Sequence, residues 1–425
     1  MIVRARGRIV AVGDGAYEAE LPAAPIGAAV EIVGSKTRSG GVVTEARGVR
    51  ARIAPLDAAK GIRVGDSVIV DGGAPTVALG VAALGRAVDA HGCPIDGGPP
   101  LHGRPLPLEA NAPPPLTRGR IIRPCWTGVR AIDALATLAR GQRVGIFGGA
   151  GVGKSSLLHA IVDNVEADAV VVALIGERGR EAQGWLERLQ ASLARTTVVC
   201  ATANEPPALR ARAPLVAMAQ AEYLRARGLH VVLIVDSLAR YCAALRELAA
   251  ANGETTALRG YPPSAFAALG RLLERAGASS RGAVTAICSV LVEGDDDREP
   301  VADATRALLD GHLTLSRRIA EAGRFPALDV LASCSRLFSE VAAPGHAADA
   351  AVVRRALAAL EATRDLRSVG AYVAGSDPVV DAAVVAEPAI EAFLRQMDDA
   401  SEPDETLRRL AQLAAALCRI EERTS

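Results

Sequence analysis

The sequence predicts an α/β fold in which a parallel-sheet core lies between a small β-rich unit and a helical one. Three observations carry this. From about Gly141 to Ala343, short β-rich runs alternate with helical stretches, the pattern of strands joined by crossover helices. Before that region the chain runs in short β-rich pieces broken by Gly, Pro and Asp. After Gly345 it becomes rich in Ala, Leu and Arg with helical periodicity.

The amino-terminal pieces are Ile2–Val12, Tyr17–Leu21, Ala29–Val33, Gly41–Val43 and Ser67–Val70, which read as a small barrel or sandwich. A Gly/Pro-dense stretch follows at Gly92–Pro100 and again at Pro113–Pro115, where linker or irregular loop is expected. The core runs are Arg143–Phe147, Ala169–Ile175, Thr196–Ala201, Val231–Val235 and Ala283–Leu291. Val352–Thr363 and Glu405–Arg423 carry the helical pattern near the carboxy terminus. The expected domains are 1–75, 76–344 with a linker and lead-in at 76–140, and 345–425.

Composition excludes several classes. Half of the 425 residues are apolar, yet charges interrupt them before any run reaches the roughly 18 residues that span a bilayer. The first residues, MIVRARGRIV, lack the apolar stretch and cleavage site of a secretory signal, so a cytoplasmic address is expected. Seven cysteines are scattered without a CxxC pair, consistent with reduced, mostly buried thiols. Lys plus Arg balance Asp plus Glu at 48 each, and aromatics are 3%, so neither a basic field nor a stacking platform for nucleic acid is expected.

Lysine occurs only at positions 36, 60 and 154, and the last lies in the most specific motif of the chain. Gly148-Gly149-Ala150-Gly151-Val152-Gly153-Lys154-Ser155, followed by Ser156, fits G-x-x-x-x-G-K-[ST] between an apolar strand and a helix, the context of a phosphate-binding P-loop. Its glycines let backbone N–H groups face phosphate oxygens, Lys154 neutralises the β- and γ-phosphates of ATP, and the Ser155 hydroxyl is a Mg²⁺ ligand. Val231–Val235 ends in Asp236, which places a carboxylate at the sheet edge beside the P-loop, where it can hold Mg²⁺ through water. ATP hydrolysis also needs a base or water-orienting group. Glu177, in Gly176-Glu177-Arg178-Gly179-Arg180-Glu181 directly after another buried strand, is the candidate.

The segments GIFGGAGVGKSSLL, ALIGERGRE, DSLARY, RGYPPSAFAALGRLLERAG, SVLVEGDDDREPVADATRALLDGHLTLSRRIAEAGRFPALDVLAS and GAYVAGSDP resemble the type III secretion ATPases of injectisomes and flagella. These are relatives of the α and β subunits of rotary ATP synthases. The resemblance runs in order from about Gly7 to Gln396. It implies an amino-terminal β-barrel, a RecA-like P-loop core and a carboxy-terminal helical domain, assembled as a homohexamer with ATP at the subunit interfaces. It further implies that Glu177 is the catalytic glutamate, with Arg178 and Glu181 beside it, and that Arg240 in DSLARY faces the γ-phosphate. Arg336 in Ser335-Arg336 becomes the arginine that reaches into the neighbouring subunit's site. Phe325 packs the adenine ring, with Tyr372 of GAYVAGSDP on the other side.

The partners that the resemblance implies are chaperone–substrate complexes, a central stalk, a peripheral stator and an export gate at the cytoplasmic face of the inner membrane. No specific nucleic acid is among them. The acidic stretch Glu293–Glu299 lacks the alternating ligands of an EF-hand, and the resemblance makes it a loop facing the central pore. Two segments depart from the family pattern: Trp126 stands where proline is usual, and Ala182-Gln183-Gly184-Trp185-Leu186-Glu187 replaces a hydrophobic-charged run. The chain begins almost at the first strand, which favours the injectisome members over the flagellar ones. The alternatives are a hexameric nucleic-acid translocase on the same core, which zero net charge and few aromatics disfavour, and a rotary ATP synthase subunit, which GYPPSAFAALGRLLERAG and LVEGDDDREP disfavour.

Overall fold

The computed structural model describes residues 5–424 apart from 14, 23, 58–60, 71–74, 190–191, 257, 293–298 and 398–399. Most of the acidic stretch at 293–299 therefore lies outside the described residues.

Six antiparallel strands, Ala5–Val12, Tyr17–Glu20, Ala29–Val33, Arg38–Arg47, Arg50–Pro55 and Ser67–Val70, open the fold. The first pairs with both the second and the last, so the sheet closes on itself. Closure decides between sandwich and barrel: it is a barrel. Alternation along each strand sends Ile9, Ala19, Ile32, Val43, Ile53 and Val68 into its interior and leaves the intervening residues outside. The strand Arg50–Pro55 was not among the expected runs. Charged Arg50 and Arg52 interrupt its apolar residues and sit on its outer face.

The core is a mostly parallel sheet. Its order is Leu328–Ser335, Gly311–Leu315, Arg143–Gly148, Ala283–Leu291, His230–Asp236, Ala169–Glu177, Thr196–Thr202 and Arg86–Asp89, and only the first of these is antiparallel to its neighbour. Odd and even residues of the central strands enter two separate apolar clusters. Val171, Ala173, Leu233 and Val235 face the helices Pro207–Ala226 and Leu238–Ala251, while Val170, Val172, Val232 and Ile234 face the opposite layer. Burial on both faces is why these strands read as continuous apolar runs. Arg86–Asp89, inside the stretch expected as lead-in, forms the far edge of the sheet through parallel pairing with Thr197–Cys200.

The helices Pro344–Ala362, Pro378–Leu394 and Pro403–Thr424 pack together after the core. They bury Val353, Leu360, Ile390, Phe393, Leu410 and Leu417 in the same cluster as the helix Arg130–Leu135. Of the seven cysteines, Cys125, Cys200, Cys242 and Cys288 are buried, Cys93 and Cys334 exposed and Cys418 intermediate, and all are free thiols. Among the described residues no helix is long and apolar enough to cross a membrane.

Candidate functional site

All the central strands of a parallel sheet end on the same side, and the sequence places its chemistry there. Arg143–Gly148 runs into the loop 149–153 and then into the helix Lys154–Asn164. Gly151 and Gly153 take φ of 78° and 92°, a left-handed region that favours glycine. The loop turns back on itself there and presents the helix amino terminus, where unpaired N–H groups and the helix dipole favour an anion.

Lys154 Nζ donates to the carbonyl oxygens of Gly148 and Gly149, at 2.6 Å each. Burial lowers its pKa to about 8; Asp236 opposes that shift, and Arg240 and Arg317 add to it. Ser155 and Ser156 are exposed on the first turn. Asp236 is buried at the end of its strand and accepts a short hydrogen bond from Ser289 Oγ. Burial raises its pKa, against the lowering effects of Ser289 and Lys154.

Glu177 ends the next strand, and its carboxylate is 6% exposed. Arg240, one turn into the helix after Asp236, forms a close ion pair with Glu177 Oε1. The other oxygen, Oε2, is buried without a hydrogen-bond partner among the described residues. Arg240 therefore meets the glutamate rather than standing alone in front of the P-loop. Arg178 points outward, with its side chain 84% exposed and 3.5 Å from Glu181.

Phe325 is half-buried and lies over the P-loop, where a Cβ added to Gly153 would stand 3.7 Å from its ring. It lines a cavity with Val129, Ser156, Leu157, Gln396 and Met397. Tyr372 is not in that wall. Its hydroxyl donates to Asp381 Oδ1 at 3.0 Å in the loop before the helix Pro378–Leu394, which holds the ring in the helical domain. The surfaces beside Phe325 are instead Gln396 and Met397.

Arg336 stands apart from all of these. It follows the antiparallel edge strand, in which Ser335 pairs with Gly311 at the start of the strand Gly311–Leu315. That strand runs parallel to the one leading into the P-loop, with His312 level with Gly145. Arg336 thus lies beyond the opposite end of the sheet, some five residues or about 17 Å of strand from the level of Gly148. Its backbone N–H donates to Asp310 O at 3.0 Å and its side chain is exposed.

This geometry is that of a nucleoside triphosphatase, and comparison supplies the family. The chain is 43% identical to the type 3 secretion system ATPase of Pseudomonas syringae pv. syringae, over 98% of its own length and 95% of that relative. The chain belongs to the type III secretion and flagellar export ATPase family. It is also 46% identical to the flagellum-specific ATP synthase of Salmonella typhimurium, over 82% of this chain and 79% of that one. Residues 128–335 match the nucleotide-binding domain of the ATP synthase alpha/beta family, and 342–412 match the T3SS EscN ATPase C-terminal domain. The assembled ATPase EscN of enteropathogenic E. coli superposes with a TM-score of 0.91 at 37% identity, covering 96% of this chain and all of that one. EscN in complex with its central stalk EscO gives 0.89 at 36% identity. As a member of this family the chain is an ATP-hydrolysing enzyme with a RecA-like core.

Two side chains at the site were not singled out by the sequence. Arg317 Nη2 lies 3.4 Å from Ala150 O, which puts a second cation over the P-loop of this export ATPase. Gln396 reaches the Phe325 cavity from the far end of the chain. Neither belongs to a short motif, and only the tertiary fold brings them in.

Proposed function

We propose that the chain hydrolyses ATP at the interfaces of a homohexameric ring and couples turnover to releasing chaperones from, and unfolding, proteins exported through a type III secretion system. One observation carries the shared site. Arg336 is exposed at the sheet end opposite the P-loop, so it cannot serve the Lys154 of its own chain and is free to serve that of a neighbour. An arginine supplied in this way stabilises charge on the transferred phosphoryl group and is worth roughly 10³–10⁵ in rate.

Within one subunit the P-loop amides and Lys154 bind the phosphates, and Phe325 packs the base. Glu177, oriented by Arg240, holds the attacking water and takes its proton. Its unpartnered Oε2 is the acceptor for that water. Ser155 and Asp236 are hard oxygen donors on the two sides of the loop, and they fit Mg²⁺, which neutralises phosphate charge when bound. Arg178, exposed beside Glu181, takes part through a contact across the interface; its outward exposure supports this reading.

We favour the injectisome branch, at the cytoplasmic face of the inner membrane. The match to the Pseudomonas syringae secretion ATPase extends over 98% of this chain, against 82% for the Salmonella flagellar relative. A central stalk in the pore is the partner that the EscN–EscO complex suggests, with a stator and an export gate outside the ring.

The test separates binding from turnover. Arg336→Ala is expected to keep wild-type affinity for a fluorescent ATP analogue and to lose turnover by about 10³ or more. Lys154→Ala loses both. Equal turnover of Arg336→Ala and wild type would refute the shared site.

A further inference from the structure

We propose that Gln396 is a positioning residue of the nucleotide site, through which the carboxy-terminal helical domain holds both walls of the cavity for the ATP base and so sets ATP affinity. This rests on the reading above that the base lies beside Phe325.

Gln396 follows the helix Pro378–Leu394 and makes three short bonds to two separate segments of the core. Its backbone N–H donates to Phe325 O at 2.8 Å. Its side-chain oxygen accepts from the Arg130 N–H at 2.8 Å, and its amide nitrogen donates to Gly128 O at 2.7 Å. Phe325 is one wall of the cavity and Val129, between Gly128 and Arg130, is another. One residue thus ties the two walls together: its backbone N–H holds Phe325, and its side-chain amide, donor and acceptor at once, holds the loop that carries Val129.

The surroundings reinforce the clasp from the same segment. The Ser401 N–H donates to Gly128 O at 3.1 Å, and Arg130 Nη2 lies 3.3 Å from Arg395 O. Gly128 has φ of 75°, and a Cβ there would come within 2.5 Å of Asn164 Cβ at the end of the P-loop helix. The loop is therefore held between the close-packed P-loop helix on one side and Gln396 on the other. The hydrogen bonds of Gln396 go to Phe325, Gly128 and Arg130, and the cavity it lines meets the P-loop helix at Gly153, Ser156 and Leu157. Its influence falls on the base and not on the phosphates.

Steady-state kinetics on the full-length enzyme tests this, using inorganic tripolyphosphate as a competitor that fills the P-loop without a base. Gln396→Ala is expected to raise the KM for ATP about tenfold, the effect of two lost hydrogen bonds, with kcat at saturation and the tripolyphosphate Ki unchanged. Gln396→Glu keeps the shape and the acceptor for Arg130 but loses the donor to Gly128, so it gives a smaller rise and covers the case in which the alanine variant does not fold. Unchanged ATP KM in these variants, with tripolyphosphate still competing, would overturn the role of Gln396 and leave the P-loop reading intact. Parallel weakening of ATP and tripolyphosphate would overturn it as well, by showing general damage. Failure of tripolyphosphate to compete in the wild type would instead overturn the placement of ATP.

Discussion

Lys154 has its positive charge where the fold makes that charge least comfortable. Burial and the neighbouring guanidinium groups of Arg240 and Arg317 bring its pKa to about 8, from an ordinary 10.5. The free enzyme therefore holds an ammonium below pH 8 and loses it as pH rises through that value. Because only the cation pairs with phosphate, kcat/KM for ATP is expected to fall above about pH 8, approaching tenfold per unit. A flat profile from pH 7 to 9.5 would contradict it. The P-loop, Asp236 and Glu177 were legible in the sequence because each is a short local pattern, a strand end joined to a loop or helix. Gln396 and Arg317 were not, since their neighbours at the site are far away along the chain. The setting of Tyr372 was not legible either: its motif names a residue but not the direction in which its loop carries it.

The helix Gly179–Arg188 begins two residues after Glu177 and meets the P-loop helix through an aromatic contact and the apolar cluster around it. Trp185, the departure noted in the sequence, is 3% exposed and stacks on His159 with ring centroids 3.7 Å apart. Burial and Arg188 keep that imidazole neutral, with a pKa of about 4, so the stack joins two uncharged rings at physiological pH. Trp185→Ala opens a cavity between these elements and is expected to cost about 3 kcal/mol in urea unfolding, with Trp185→Phe costing less. A loss under about 0.5 kcal/mol for the alanine variant would show that the two helices do not depend on the contact. At this scale the buried central strands were readable from unbroken apolar runs. The edge strands Arg86–Asp89 and Leu328–Ser335, and Gly311–Leu315 beside the second of them, were not, because less buried residues break up their apolar pattern.

At the scale of the whole molecule, the proposed ATP site draws on residues that a single chain holds at two opposite ends of a sheet. Glu177, Arg240, Lys154 and Asp236 gather at one end, and Arg336 is exposed beyond the other. The proposed closed ring of identical subunits resolves this: in it, each interface brings the Arg336 end of one chain to the P-loop end of the next. Turnover per subunit is then expected to rise with protein concentration through the range in which rings assemble. The most direct measurement is ATPase activity after mixing Lys154→Ala with Arg336→Ala subunits. Each variant alone is expected to be inactive, yet about a quarter of the interfaces in an equal mixture pair an intact P-loop with an intact Arg336, so the account predicts that mixing restores activity. Wild-type turnover by Arg336→Ala alone, or no recovery in mixed rings shown to have assembled, would contradict it.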